Sequence, residues 1–248
     1  FGARAAAGNA ISDIARLCRY AHRFGARVYV TVNTIVYDRE LEATRRLIGQ
    51  LDEAGGDAVL VQDMAVAEMV RDTRMELHAS TQTDNRTAEK VAWLRQTGFD
   101  RAVLARELSV GEIAAIHQAV PDMDLEVFVH GALCVSYSGL CYASQSCFGR
   151  SANRGECAQF CRLKFDLTDA DGRIVEHDRH LLSLKDMCQI DNLERLAEAG
   201  AAAETAAGQC AALAAFFEDI ALPQRLAARA EALGAEGRAA LAAEDAAL

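Results

Sequence analysis

Five of the chain's eight cysteines fall between Cys134 and Cys161, in the stretch CVSYSGLCYASQSCFGRSANRGECAQFC. Six residues separate Cys134 from Cys141, fifteen separate Cys141 from Cys157, and three separate Cys157 from Cys161. No pair forms the tight C-x-x-C knuckle of a zinc ribbon. Thiolates on separated loops suit an iron–sulfur cluster, whose body can be reached from several directions, and structural zinc is the alternative. Disulfides are less expected, because a chain of 248 residues can bury a full core and does not need the staples of small secreted domains. Cys147 lies inside the stretch but outside the four-point spacing, as a spare thiol, a small hydrophobe or a substitute ligand. Cys18, Cys188 and Cys210 read as ordinary, with Cys188 the one that could still serve as a ligand.

The surroundings of these thiols also carry information. Gly131, Gly139, Gly149 and Gly155 allow close backbone approach and positive φ. Arg150, Arg154, Arg162 and Lys164 stand against the single acid Glu156, a local positive excess that can offset cluster charge, hold an anionic small molecule or touch RNA phosphate. A solvated loop face is the plain alternative. The whole chain has a formal charge of −10, which excludes a protein that coats nucleic acid by charge alone. No apolar run approaches the roughly 20 residues of a membrane span, so a soluble, cytoplasmic protein is expected.

The elements that must position this segment alternate. Apolar, β-branched runs at 28–32, 58–61, 75–78, 102–104 and 125–129 read as strands. Helical periodicity covers 41–51, 66–70, 87–94 and 110–119. Alternation of this kind predicts parallel β-α units in an α/β fold, and periodicity leaves a closed (β/α) barrel and an open doubly wound sheet both open. A polar cluster follows each strand: Asn33-Thr34, Gln62-Asp63, His78 to Gln82, Arg106-Glu107 and His130-Gly131. In a barrel they would converge on one face as a shared site, although each could simply cap the next helix, as Ser80 or Asp84 would. Asp169 to Gly172 predicts a hairpin between 164–168 and 173–175, and a helix is expected from Leu193 to Ala199. From Gly200 the chain is roughly two-fifths alanine, which predicts a loosely packed helical appendage over 200–248.

The stretch EVFVHGALC ending at Cys134, then YSGLC ending at Cys141 and GRSANRGECAQFCR from Gly149 to Arg162, resembles the collagenase-like peptidase family U32. The resemblance extends back through HASTQ at 78–82, VLAREL at 103–108 and VTVNT at 30–34 to Phe1-Gly-Ala-Arg4. It implies a TIM-like (β/α) barrel domain over 1–199, incomplete in this chain, with a cysteine-rich segment over 131–165. The strand-helix-strand portion that precedes Phe1 in the family is missing from the sequence, and the alanine-rich end departs from the family pattern. The resemblance further implies oxygen-independent RNA hydroxylation with a [4Fe–4S] cluster and prephenate as donor, closest to the branch acting on a cytidine of large-subunit ribosomal RNA. Its ligands would be Cys134, Cys141, Cys157 and Cys161, with Cys188 in reserve for the last. Arg106, Arg150 and Arg154 are then candidate carboxylate partners, with Asn33, Gln82 and Asn153 as further substrate contacts. Glu107, His78 and His130 are candidate proton-transfer groups. Proteolysis, transfer-RNA uridine hydroxylation and a noncatalytic cluster-bearing partner subunit of the same family are the competing readings.

Overall fold

The computed structural model of the protein describes residues 9–200. Five parallel strands, β1 (Tyr29–Val32), β2 (Ala58–Val61), β3 (Glu76–Ala79), β4 (Arg101–Val103) and β5 (Asp124–Glu126), form one sheet in chain order. The helices between them are α2 (Leu41–Glu53), α3 (Met64–Val70), α4 (Ala88–Gln96) and α5 (Val110–Ala119), with α1 (Ile11–His22) preceding β1. The α/β alternation expected from the sequence is therefore present. β1 and β5 are the edges of an open sheet among the described residues.

Strand order that never reverses, with right-handed crossovers, keeps successive helices on one side of the sheet. The packing agrees. Val32, Val59, Val61, Leu77, Ala79, Ala102 and Leu125 share one core with Ile14 and Cys18 of α1, Ile48 and Leu51 of α2, Val66 and Val70 of α3, Val91 and Leu94 of α4, and Ile113 and Ile116 of α5. The opposite face, defined by the strand register, carries Tyr29, Thr31, Glu76, His78, Arg101 and Glu126. Ala58, Leu60 and Val103 share that face, so it mixes polar and apolar side chains where parallel strands usually carry two apolar faces.

Local chemistry sets several boundaries. Asp63 accepts the Ala65 amide to cap α3, and Thr87 accepts the Lys90 amide to cap α4. Ser109 and Glu112 cap α5 reciprocally, the Glu112 carboxylate accepting the Ser109 amide at 2.7 Å. Ser80 caps the short 3-10 turn Thr81–Thr83, and Asp84 ends it in the left-handed conformation. Of the two capping residues expected, Ser80 does cap while Thr87 takes the place of Asp84, because it stands immediately before the first turn of α4.

After β5 the chain builds the cysteine-bearing region. It holds the two-residue strand β6 (His130–Gly131), helix α6 (Ala143–Phe148), the hairpin β7 (Phe165–Thr168) with β8 (Ile174–Arg179), and β9 (Met187–Cys188), which pairs antiparallel with β6. The hairpin lies where Asp-Gly predicted it. Helix α7 (Leu193–Glu198) then returns to the core through Leu196. The expected 200–248 appendage, Cys210 and Phe1 to Arg4 lie outside the described residues, Gly200 excepted.

Candidate cysteine centre and strand-end site

Every cysteine among the described residues is a free thiol. Cys18 is buried in the core under α1, while Cys134, Cys147, Cys157 and Cys188 are exposed and Cys141 and Cys161 are half-buried. Burial pushes the Cys161 thiol up, nearby Arg162 opposes that, and Cys134 and Cys157 add to it, so these three sulfurs stand within electrostatic reach of one another. No three His, Cys, Asp or Glu side chains among the described residues converge on a single metal ion. A cluster makes a different demand, since each thiolate binds its own iron at the periphery of a larger body. For such a body the candidates are Cys134 and Cys157, each near enough to Cys161 to act on it electrostatically, and Cys141 of the same segment; the Gln159 amide donates to the Cys157 sulfur at 3.4 Å.

Fixed contacts seat the segment. Arg162 donates to the carbonyls of Leu133 and Leu184 and to the Ser183 hydroxyl, and so ties the Cys161 turn to the chain before Cys134. Buried Ser144 on α6 accepts the Ala158 amide at 3.0 Å, which fixes the chain beside Cys157. Gly139, at φ +75°, lies so close to β2 and β3 that a Cβ would overlap the Gln82 carbonyl and stand 2.9 Å from Gln62 Nε2. The cysteine segment thus rests directly on the strand ends.

At those ends Asn33 Nδ2 donates to Ser80 Oγ at 3.0 Å, a buried bond that joins the loops after β1 and β3. A cavity of about 90 Å³ is lined by Arg106, Glu107, Cys134, Ser136, Ser138 and Leu184, so the loop after β4 and the first expected ligand meet. It is smaller than a typical ligand pocket of several hundred Å³ and reads as the floor of a site.

The remaining candidates are placed as follows. Arg154 makes a two-pronged pair with Glu40, Nη1 at 2.7 Å and Nη2 at 2.6 Å, and donates to the Ile35 carbonyl at 2.5 Å. The Arg154 guanidinium, with help from the Tyr37 amide, holds the Glu40 carboxyl at about 2. This residue therefore ties the cysteine segment to the loop after β1, its charge already met by a carboxylate. Arg150 donates to the carbonyls of Glu156 and Cys157, and Asn153 is buried in the 3-10 turn beside Arg154. His130 stands opposite Cys188 in the β6–β9 ladder, which keeps the reserve cysteine close to the segment.

His78 is fully buried at mid-strand, with Nε2 3.0 Å from Glu76 and its ring edge-on to Tyr29. Burial is the larger influence; it lowers the pKa and favours a neutral ring, against the opposing pull of Glu76. Glu76 and Tyr29 lie with it on the sheet face away from the helices, so the structure does not bring it together with the cysteines. Sequence reasoning missed Glu40, Tyr37 and Ser144. The only available signal was a lone acid or hydroxyl far away in the chain, and pairing across 114 residues is invisible to local pattern.

Comparisons with known proteins identify what the chain is similar to. The family model described as peptidase family U32 matches residues 1–212. The 23S rRNA 5-hydroxycytidine synthase of Escherichia coli strain K12 is 54% identical over 81% of this chain and 30% of its own length. The tRNA hydroxylation protein P1 of Bacillus subtilis is 33% identical over 81% of this chain and 49% of its own. A collagenase of Porphyromonas gingivalis is 30% identical over 80% of this chain and 50% of its own. The chain therefore spans from about a third to half the length of these relatives.

Proposed function

The chain belongs to peptidase family U32, and from that membership together with the cysteine segment seated on the strand ends we propose that it acts in oxygen-independent RNA hydroxylation. The substrate in this reading is a cytidine of large-subunit ribosomal RNA, hydroxylated at C5. The observation that carries it is the 54% identity to a 23S rRNA 5-hydroxycytidine synthase across four-fifths of the chain. The sheet's unreversed strand order supports a (β/α) barrel of which these five strands are one arc.

Cys134, Cys141, Cys157 and Cys161 would hold a [4Fe–4S] cluster, which supplies one-electron transfer when bound. Replacing C5–H by C5–OH oxidises the base by two electrons. A small anionic donor, prephenate in this reading, would pass its hydroxyl to C5 while its own C–O bond is replaced by C–H with the hydrogen displaced from the base, so the donor is reduced by the two electrons the base loses and dioxygen is not needed. Arg106 and Glu107 line the small cavity with Cys134; in this reading Arg106 would meet a donor carboxylate and Glu107 would move a proton. Arg150 is the second cation for an anionic ligand, while Arg154 holds the segment in place.

Proteolysis is the second reading, on the strength of the collagenase similarity. A cysteine protease needs a thiol hydrogen-bonded to a positioned imidazole. Among the described residues His22, His78 and His177 bond carboxylates and His180 bonds a carbonyl.

The test is nucleoside mass spectrometry of 23S RNA from cells lacking the gene. Loss of 5-hydroxycytidine, restored by the wild-type gene and not by Cys157→Ser, is the expected result. Unchanged 5-hydroxycytidine in the deletion strain would overturn the assignment.

A further inference from the structure

Large aromatic rings are left in the open around the cysteines. Phe128, Tyr137 and Tyr142 retain 36%, 53% and 63% of their surface. Two of them carry a guanidinium. Arg86, in the loop after β3, lies 4.0 Å from the Tyr137 ring centroid, and Arg106, after β4, lies 4.0 Å from the centroid of Phe128, after β5. These loops all leave the sheet at the C-terminal ends of parallel strands, so the topology gathers the rings on the end where the cysteine segment sits. A ring with a cation over it and about half its surface open can still offer a π-face to a flat partner.

Two arginines of the loops on this end of the sheet make no ion pair. Arg150 donates only to main-chain carbonyls, and exposed Arg39 lies 5.2 Å from the Tyr37 ring. Neither forms an ion pair among the described residues. Open rings with arginines on the surrounding loops suit an unpaired nucleic-acid strand, with bases on the rings and phosphates on the cations. A duplex would not fit this chemistry, since its base faces are already stacked on one another. A protein partner could anchor on the rings but would gain nothing from the arginines unless it were acidic.

We propose that Phe128, Tyr137 and Tyr142 form a stacking platform for unpaired nucleotides of an RNA strand, with Arg39 and Arg150 meeting its phosphates. The platform rests on the RNA reading above and specifies single-stranded or splayed-out RNA as the form that binds. It also explains why the rings remain exposed: they await a base, and it places them beside the thiols where the target would be presented.

The test is fluorescence anisotropy of a labelled single-stranded RNA of about ten nucleotides, within the usual site size, against the full chain. Tyr137→Leu is expected to weaken binding about tenfold and Tyr137→Leu with Phe128→Leu about a hundredfold, on the stacking contribution of one base per ring. Tyr137→Phe keeps the π-face and should bind within about twofold of wild type. The same RNA annealed to its complement should show no dependence on the rings. Thermal midpoints identify any variant that has lost its fold, and the conservative Tyr137→Phe then carries the comparison. Equal affinity of wild type and the folded double variant would overturn the platform, and so would binding of a protein but not RNA through the rings. Failure here with 5-hydroxycytidine formation intact would leave the functional reading standing. Ring-dependent RNA binding with 5-hydroxycytidine unchanged in the deletion strain would do the reverse.

Discussion

Gly139 shows how one residue can hold a site together. Its positive φ and its contact with the Gln82 carbonyl both exclude a side chain, so Gly139→Ala must move either the cysteine segment or the strand ends. We expect a loss of about 1–3 kcal/mol from strained backbone, read as a lowered denaturation midpoint; an unchanged midpoint would mean that the seam is loose. Glu40 and Arg154 form the second tie. The Glu40 carboxyl is depressed to about 2 in the folded protein from an ordinary value of 4.5. A depressed carboxyl contributes stability that is fully present above 4.5 and is lost as pH falls through about 2. Denaturant midpoints of wild type and Glu40→Gln should therefore differ at neutral pH and converge across that acid window. A gap that stays constant down to pH 2 would contradict the pairing. Both ties were half legible. The glycine was recognised as a point of close approach, but the partner of Arg154 lies in a loop that no spacing rule connects to it.

The strands and helices were read closely from periodicity because each buried face repeats on a local period. Val59, Val61, Leu77 and Ala79 alternate as strand positions must, and Ile113 and Ile116 recur at helical spacing. Helix α1 went unread, although Ile14 and Cys18 face the core with helical spacing; no side chain caps its start. The two-residue strands β6 and β9 were unreadable in principle. Such a ladder is defined by its partner, not by its own sequence. The β7–β8 hairpin was announced by Asp-Gly, yet every residue of β8 is exposed. A two-stranded ribbon without a buried face is only marginally stable. Its amides at 165–168 and 174–179 should exchange with deuterium about a hundredfold or more faster than those of β2 and β3. Equal protection would show that something covers the hairpin in solution.

For the molecule as a whole, a net charge of −10 and a cationic, aromatic rim around the cysteines coexist without conflict. Acids stand on that rim as well, Glu40 paired with Arg154 and Asp84 with Arg86, while on the other sheet face Glu76 pairs with Arg27 and Glu126 with Arg101. The long-range field repels nucleic acid in general while the rim can accept one strand locally. The charge sum in the sequence excluded a general nucleic-acid coat, and local clustering of Arg150, Arg154 and Arg162 already marked the exception. What the sequence could not supply was which arginines are committed within the protein, a fact that only folding decides. No helix among the described residues is long and apolar enough to cross a membrane. The central claim is that four thiols on this rim hold a cluster, and the most direct measurement is iron and acid-labile sulfide after anaerobic purification, with the visible spectrum, for wild type, Cys157→Ser and Cys161→Ser. The account predicts iron and sulfide in equal amounts, about four of each per chain as a [4Fe–4S] cluster requires, and loss of both in either variant. Zinc without sulfide, or iron retained in both variants, would contradict it.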